Sequence, residues 1–343
     1  MKALTLMEYG KFVYGDVPEP EMGIDDVLIE VKACGICGSD VHGIDGSTGR
    51  RRPPIIMGHE ASGVVIDVGG NVDAWNSGDR VTFDSTTYCG QCAYCNQGLV
   101  NLCGDRQVIG VSCDEYRRHG AFAEKVVIPH LGICSIPEEV SFEQAALAEP
   151  VSIALHGVNR LPIEGGESAV VVGTGMIGLF LVQALKAAGC SYVIAVDLAE
   201  DKLTLAKELG ADSTLVPGKD DVCEAVRQAT EGEGAHFSME AVGVTETVCL
   251  AIEVLRKGGS TCLVGNLAPE IDFPLQSVVT RELSVYGSCA SAGEYSQALE
   301  AVASGSIKVD PVISGVGDLK DGASWFDRLK DNQEGLLKVV LQP

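Results

Sequence analysis

Positive charge is scarce in this chain: 25 Lys and Arg stand against 48 Asp and Glu, a formal net charge of −23 at pH 7. Nucleic acid and anionic membrane surfaces are held by clustered cations, so the deficit argues against both as partners. Aromatic residues are few, 5% of the chain, and no uninterrupted apolar run approaches the length that crosses a bilayer. The segment Met1-Lys2-Ala3-Leu4-Thr5-Leu6 has one cation and then reaches Glu8, without the apolar core of a secretory signal. These absences lead us to expect a cytoplasmic protein, whose 13 cysteines serve as thiols or metal ligands rather than disulfides.

What is there is an ordinary α/β composition, 46% apolar with 41 glycines, spread over 343 residues, which is too long for one core and implies two domains. Up to about residue 135 the pattern is mostly β, with Val27-Leu28-Ile29-Glu30-Val31-Lys32 alternating as a half-buried strand. Phe142 to Ala148 reads as a helix capped by Ser141, and the helical period runs on through Ser152 to His156. From Ser168 strands and helices alternate strictly. The strand Ala169-Val170-Val171-Val172 is continuously apolar, and the largely apolar strands Tyr192 to Asp197, Phe237 to Val242, Thr261 to Val264 and Leu283 to Tyr286 follow it between helices, which implies a parallel sheet covered on both faces. A helix near Tyr295 to Ala303 and a strand Lys338 to Leu341 close the chain.

Three motifs carry chemistry. Gly58-His59-Glu60-Ala61-Ser62-Gly63 sets an imidazole beside a carboxylate, with Cys37 upstream and Glu149 downstream. Zinc takes thiolate, imidazole and carboxylate donors, and a catalytic zinc keeps one position open. Taken singly, His59 reads as a hydrogen-bonded core histidine and Cys37 as a small buried hydrophobe; together they favour a metal. Cys89, Cys92, Cys95 and Cys103 place four thiols in a polar loop, enough to close a tetrahedral structural zinc site.

Gly173-Thr174-Gly175-Met176-Ile177-Gly178 follows a strand and opens a helix, the arrangement that cradles a pyrophosphate at a helix amino terminus. The next strand ends in Asp197, which can accept from both ribose hydroxyls. It would repel a 2′-phosphate, and Leu198-Ala199-Glu200-Asp201 offers no compensating Arg, so NAD is favoured over NADP. Val242 and Val264, at the ends of later strands, complete the nucleotide candidates.

These residues resemble the zinc-containing medium-chain dehydrogenases, within them the polyol branch of sorbitol and xylitol dehydrogenases, and the resemblance covers essentially the whole chain. It implies a GroES-like, mostly β catalytic domain over 1–152 and 288–343, with a structural-zinc lobe at about 86–106. A Rossmann domain of doubly wound parallel sheet, 153–287, lies between. It also implies two zinc ions: a catalytic one on Cys37, His59 and Glu149, with Glu60 ligating directly or through water, and a structural one on Cys89, Cys92, Cys95 and Cys103. Asp40 then orients His59, Ser39 and His42 relay a proton, and Lys202 stands over the adenine ribose. Ser39 as a helix cap, and His42 and Lys202 as solvated side chains, are the plainer alternatives.

The activity implied is reversible NAD-linked oxidation of a secondary hydroxyl of a polyol or sugar to the ketone, by a homodimer or homotetramer paired through the Leu283 to Tyr286 edge. L-Threonine 3-dehydrogenase and galactitol 1-phosphate dehydrogenase share the ligand pattern and stay open. Sorbitol dehydrogenases carry an Arg-Tyr pair where this chain has Gly287-Ser288-Cys289-Ala290-Ser291. A zinc-stabilised dinucleotide-binding protein without catalysis is the reading from another class. Arg50-Arg51-Arg52, just before the Gly58 turn, could meet a substrate phosphate, but a solvated loop is the favoured reading, since adjacent side chains point in different directions and cannot all face one ligand.

Overall fold

The computed structural model describes residues 1–331 and 335–343. Its contacts divide the chain into two units: Met1–Glu149 with Tyr295–Ser304 and Val309–Pro343, and Pro150–Glu294 with Gly305–Lys308. None of the 13 cysteines is in a disulfide. Among the described residues no helix is long and apolar enough to cross a membrane.

The first unit is built on a sheet in the spatial order Ile133–Ser135, Arg80–Phe83, Glu60–Val68, Asp26–Gly35, Lys338–Gln342, Ile313–Asp318, with Lys125–Pro129 also pairing with Asp26–Gly35. Asp26–Gly35 alternates half-buried and buried side chains up to Ala33, where Cys34 and Gly35 extend the buried run into the middle of the unit. A smaller sheet pairs Lys2–Glu8 with Lys11–Asp16 and Ile55–Ile56. Aromatic scarcity is met by concentration: Phe122 and Phe326 are wholly buried and meet edge to face at 5.8 Å, and Phe12 lies 4.5 Å from Phe326.

Ser141 caps Phe142–Ala146 in both directions: its hydroxyl accepts from the Gln144 N–H at 3.2 Å, and the Gln144 side chain accepts from the Ser141 N–H at 2.9 Å. The helix breaks at Leu147, and a second one, Ala148–Asn159, begins at once with Glu149 in its first turn.

The second unit is a six-stranded sheet with every pairing parallel. Its spatial order is Ser213–Leu215, Tyr192–Val196, Ser168–Val172, Ala235–Glu240, Leu255–Leu263, Ser284–Gly287. Counted along the chain this is 3-2-1-4-5-6, the doubly wound order whose reversal lies beside the first strand. All five residues of Ser168–Val172 are buried, as a strand covered by helices on both faces must be. Val170, Val172, Ile194 and Val196 share one core with Val222, Val226 and Ala251 from the helices Val222–Ala229 and Thr245–Glu253.

The fifth strand is longer than its apolar run: it starts at Leu255 and carries Arg256-Lys257-Gly258-Gly259 through a register shift. The fourth ends at Glu240, two residues short of Val242. Gly178 is required where the helix Met176–Ala187 leaves its loop, because a Cβ there would stand 1.9 Å from the Gly173 carbonyl oxygen.

Candidate metal centres and nucleotide loop

Cys37 immediately precedes the short helix Gly38–Gly43, and its side chain makes no capping bond, which leaves the thiol available. Gly58, at φ +93°, turns the chain before His59 and Glu60, where the strand Glu60–Val68 begins. Strand pairing sets Glu60 opposite Gly35, two residues before Cys37. One donor atom each from Cys37, His59 and Glu60 then lies within 4.8 Å of the others.

The surroundings are polar and in part deeply buried. Asp40 is fully buried, and its Oδ1 accepts from Arg51 Nε at 3.0 Å and pairs with Arg51 Nη2 at 2.8 Å. Its Oδ2 faces His59 Nδ1 at 3.5 Å, so the other ring nitrogen of His59 is the one left for a ligand. Burial resists ionisation of Asp40, but the charges of His59 and Arg51 hold its carboxyl well below the usual range. Burial likewise opposes a proton on His59, and Asp40 and then Cys37 raise it well above the ordinary imidazole value. Ser39 Oγ donates to Cys37 Sγ at 3.2 Å and accepts from Arg51 Nη2 at 3.4 Å.

Glu60 is fully buried with its two oxygens in different situations. Oε2 lies 2.5 Å from the Lys338 ammonium, and Oε1 has no hydrogen-bond partner. A sulfur, a ring nitrogen and a carboxylate oxygen are a donor set that zinc accepts, so the residues present fit the ion that the sequence implies. Glu149 is not one of the three converging groups. Burial and the nearby Glu60 carboxylate push its pKa up to about 8, against the pull of His59 and Lys338.

His42 sits exposed in the last turn of Gly38–Gly43, and its ring makes no hydrogen bond among the described residues. Two residues that sequence reasoning passed over complete this centre, Arg51 and Lys338. The expectation of a solvated arginine loop is corrected for Arg51, which is 4% exposed. Alternation along the segment sends it inward while its neighbours Arg50 and Arg52 stay exposed, Arg52 pairing with Asp114.

In the lobe, Thr86–Thr87 pairs with Gln107–Val108 and closes the base of a loop whose short turns Cys95–Gln97 and Val100–Leu102 bring four thiols together. Cys92 and Cys95 sulfurs are 3.5 Å apart, as are Cys103 and Cys89, and all four lie within 4.8 Å of one another. Disulfide bonding requires about 2 Å, so this is a cluster of free thiols with the spacing of a tetrahedral ion site. Backbone N–H groups, that of Cys95 first, lower the Cys92 thiol to about 6, toward the thiolate a metal takes.

In the second unit, Gly173 turns at φ +90° and Gly175 stands at the amino terminus of Met176–Ala187. Asp197, just past the second strand, accepts from the Thr174 N–H at 2.6 Å through Oδ2 and from the Ala199 N–H at 2.9 Å through Oδ1. The carboxylate is thus fixed beside the glycine loop. Ile177 lies half-buried in the first turn of the helix. Val242 packs over Gly173, with its Cγ2 2.4 Å from where a Cβ would stand. Val264 follows the fifth strand, at the carboxyl end where such sheets hold ligands. Glu240, unremarked in the sequence, fixes the turn between them, accepting from the Val242 and Gly243 N–H groups at 2.8 and 2.7 Å. Lys202 lies half-buried in the helix Glu200–Glu208.

Comparison with known proteins finds two family profiles. The alcohol dehydrogenase GroES-like domain matches residues 23–138, and the zinc-binding dehydrogenase profile matches 177–304. D-arabitol-phosphate dehydrogenase of Enterococcus avium is 33% identical over 340 residues, covering 97% of this chain and 94% of its own. Sorbitol dehydrogenase of Bacillus subtilis is 31% identical over 348 residues, covering 100% and 97%. A Sinorhizobium meliloti protein solved with NADP bound superposes with a TM-score of 0.91 at 34% identity, covering 100% of this chain and 99% of that one.

Proposed function

The chain belongs to the zinc-containing medium-chain dehydrogenases, in their polyol branch, and from that membership we propose that it oxidises a secondary hydroxyl of a polyol or sugar to the ketone, reversibly, with NAD. The observation that carries the reading is the convergence of Cys37, His59 and Glu60 within 4.8 Å, backed by the buried Asp40–Arg51 pair. When bound, zinc supplies a Lewis acid for the substrate oxygen and NAD the hydride acceptor.

The residues of the chain divide the remaining work. Asp40 faces His59 Nδ1 and keeps the proton on that nitrogen, so the opposite nitrogen presents its lone pair. Arg51 keeps Asp40 ionised in a buried place. Ser39 Oγ, exposed beside Cys37, is placed to take the proton a substrate hydroxyl gives up and to hand it toward His42 and solvent. Glu149 supplies a further, half-buried carboxylate to the same centre. The four thiols of the lobe hold a structural zinc. Asp197 keeps lone pairs free for ribose hydroxyls after its two backbone bonds, and its charge favours NAD over NADP. The Sinorhizobium relative with NADP makes this preference a matter for measurement.

A phosphorylated polyol is the second reading. It is favoured by a cavity of about 540 Å³ in the first unit lined by Arg50, Arg52 and Arg106, and by the arabitol-phosphate relative. Asp105, Asp114 and Glu115 share the lining, but the Arg50 guanidinium makes no ion pair among the described residues.

Zinc-loaded protein assayed by NADH absorbance over free and phosphorylated polyols, sugars and threonine separates these readings. We expect turnover with a polyol and a kcat/KM for NAD+ at least about tenfold above that for NADP+, a difference of about 1.4 kcal/mol. No turnover with any of these substrates would favour a dinucleotide-binding protein without catalysis.

A further inference from the structure

The lysine beside the candidate metal centre is buried completely, in a place where an ammonium is costly unless it is paired. Lys338 Nζ donates to Glu60 Oε2 at 2.5 Å and to the Ile36 carbonyl at 2.8 Å, so its charge is met by one carboxylate oxygen and its orientation by one backbone oxygen. The strand Lys338–Gln342 delivers it. That strand runs antiparallel to Asp26–Gly35, with Val340 opposite Gly35, and on its other side Asp26–Gly35 sets Glu60 opposite the same glycine. Gly35 is the gap through which the two side chains meet: a Cβ there would stand 2.3 Å from Glu60 Oε2 and 3.4 Å from Lys338 Cδ.

The pairing divides the carboxylate. Oε2 is taken, while Oε1 is buried without a hydrogen-bond partner among the described residues, and Glu60 belongs to the group formed with Cys37 and His59. We propose that Lys338 is the positioning residue for Glu60: it grips one oxygen so that the other is presented to the divalent ion held by Cys37 and His59. The inference rests on the metal reading of Cys37 and His59 given above.

The test is zinc affinity, read by chelator competition on the zinc-loaded protein, with the zinc of the four-thiolate lobe as an internal control of folding. Lys338→Met is expected to weaken the zinc at Cys37 and His59 by about 10- to 100-fold, the usual effect of losing a group that orients a ligand, and to leave the lobe zinc in place. Lys338→Arg should restore most of the affinity. In a Glu60→Gln background Lys338→Met should add no further loss, which separates positioning through Glu60 from a merely structural role. Gly35→Ala, which drives a methyl group into the pair without removing either charge, should weaken the same zinc and serves if the methionine variant does not fold. Unchanged affinity in these variants, or an equal loss in the Glu60→Gln background, overturns the proposal while the metal reading stands. A wild-type protein that holds only the lobe zinc overturns both.

Discussion

Asp40 gathers a histidine and an arginine around a carboxylate that never meets solvent, so the consequences of disturbing it are large. Arg51→Met leaves that carboxylate buried without its nearest countercharge and should cost about 3–5 kcal/mol of stability, measured by denaturant unfolding. A loss below about 1 kcal/mol would show that Arg51 is dispensable to the fold. Glu149 gives a prediction in pH. Its pKa is pushed up to about 8 in the metal-free protein, so the folded state holds a proton that the unfolded chain releases near the ordinary glutamate value of about 4.3. Between those values the folded state binds more protons, and this group's contribution to stability falls as pH rises. Urea unfolding of chelator-treated protein should show that decline, and Glu149→Gln should flatten it; equal slopes in the two proteins would refute the assignment.

Among the elements, the loop between the first parallel strand and its helix tolerates least. Gly178→Ala puts a methyl group 1.9 Å from the Gly173 oxygen and should cost about 1–3 kcal/mol through overpacking, together with a loss of NADH binding by fluorescence titration. Wild-type binding in that variant would mean the loop does not carry the nucleotide. The loop, the Gly58-His59-Glu60 turn and the four-cysteine lobe were legible because each is local: donors, glycines and strand all fall within a few positions of one another. The buried apolar strands were legible for the same reason, since a run such as Ser168–Val172 carries its burial in its composition. The strand Ser213–Leu215 and the helix Val222–Ala229 went unread, the strand being three half-buried residues at a sheet edge. Arg51 and Lys338 were illegible for a different reason. Lys338 meets a partner 278 positions away, and nothing near a lone lysine says which carboxylate that will be; Arg51 meets Asp40 only 11 positions away, but it stands in a run of three arginines, and composition does not say which of them turns inward.

At the scale of the whole molecule, the last parallel strand, Ser284–Gly287, ends the six-stranded sheet and leaves its outer N–H and C=O groups without a strand partner. Leu275 and Val279, in the helix just before it, are each 64% exposed. An open strand edge next to exposed apolar side chains invites a second copy, so light scattering should give a multiple of 36.0 kDa. Val285→Pro, which adds no charge but disrupts the strand's hydrogen bonding, should shift the protein toward monomer; a wild-type monomer would contradict this.

The lysine strand also has a consequence for how the protein is made. Synthesis runs from residue 1 upward, so Cys37, His59 and Glu60 leave the ribosome long before residue 338, while the strands of the second unit, 168–287, follow in one stretch and can close on themselves first. The nascent first unit therefore waits with an unpaired acid at its heart, and a chaperone, or an ion captured early, would find it there.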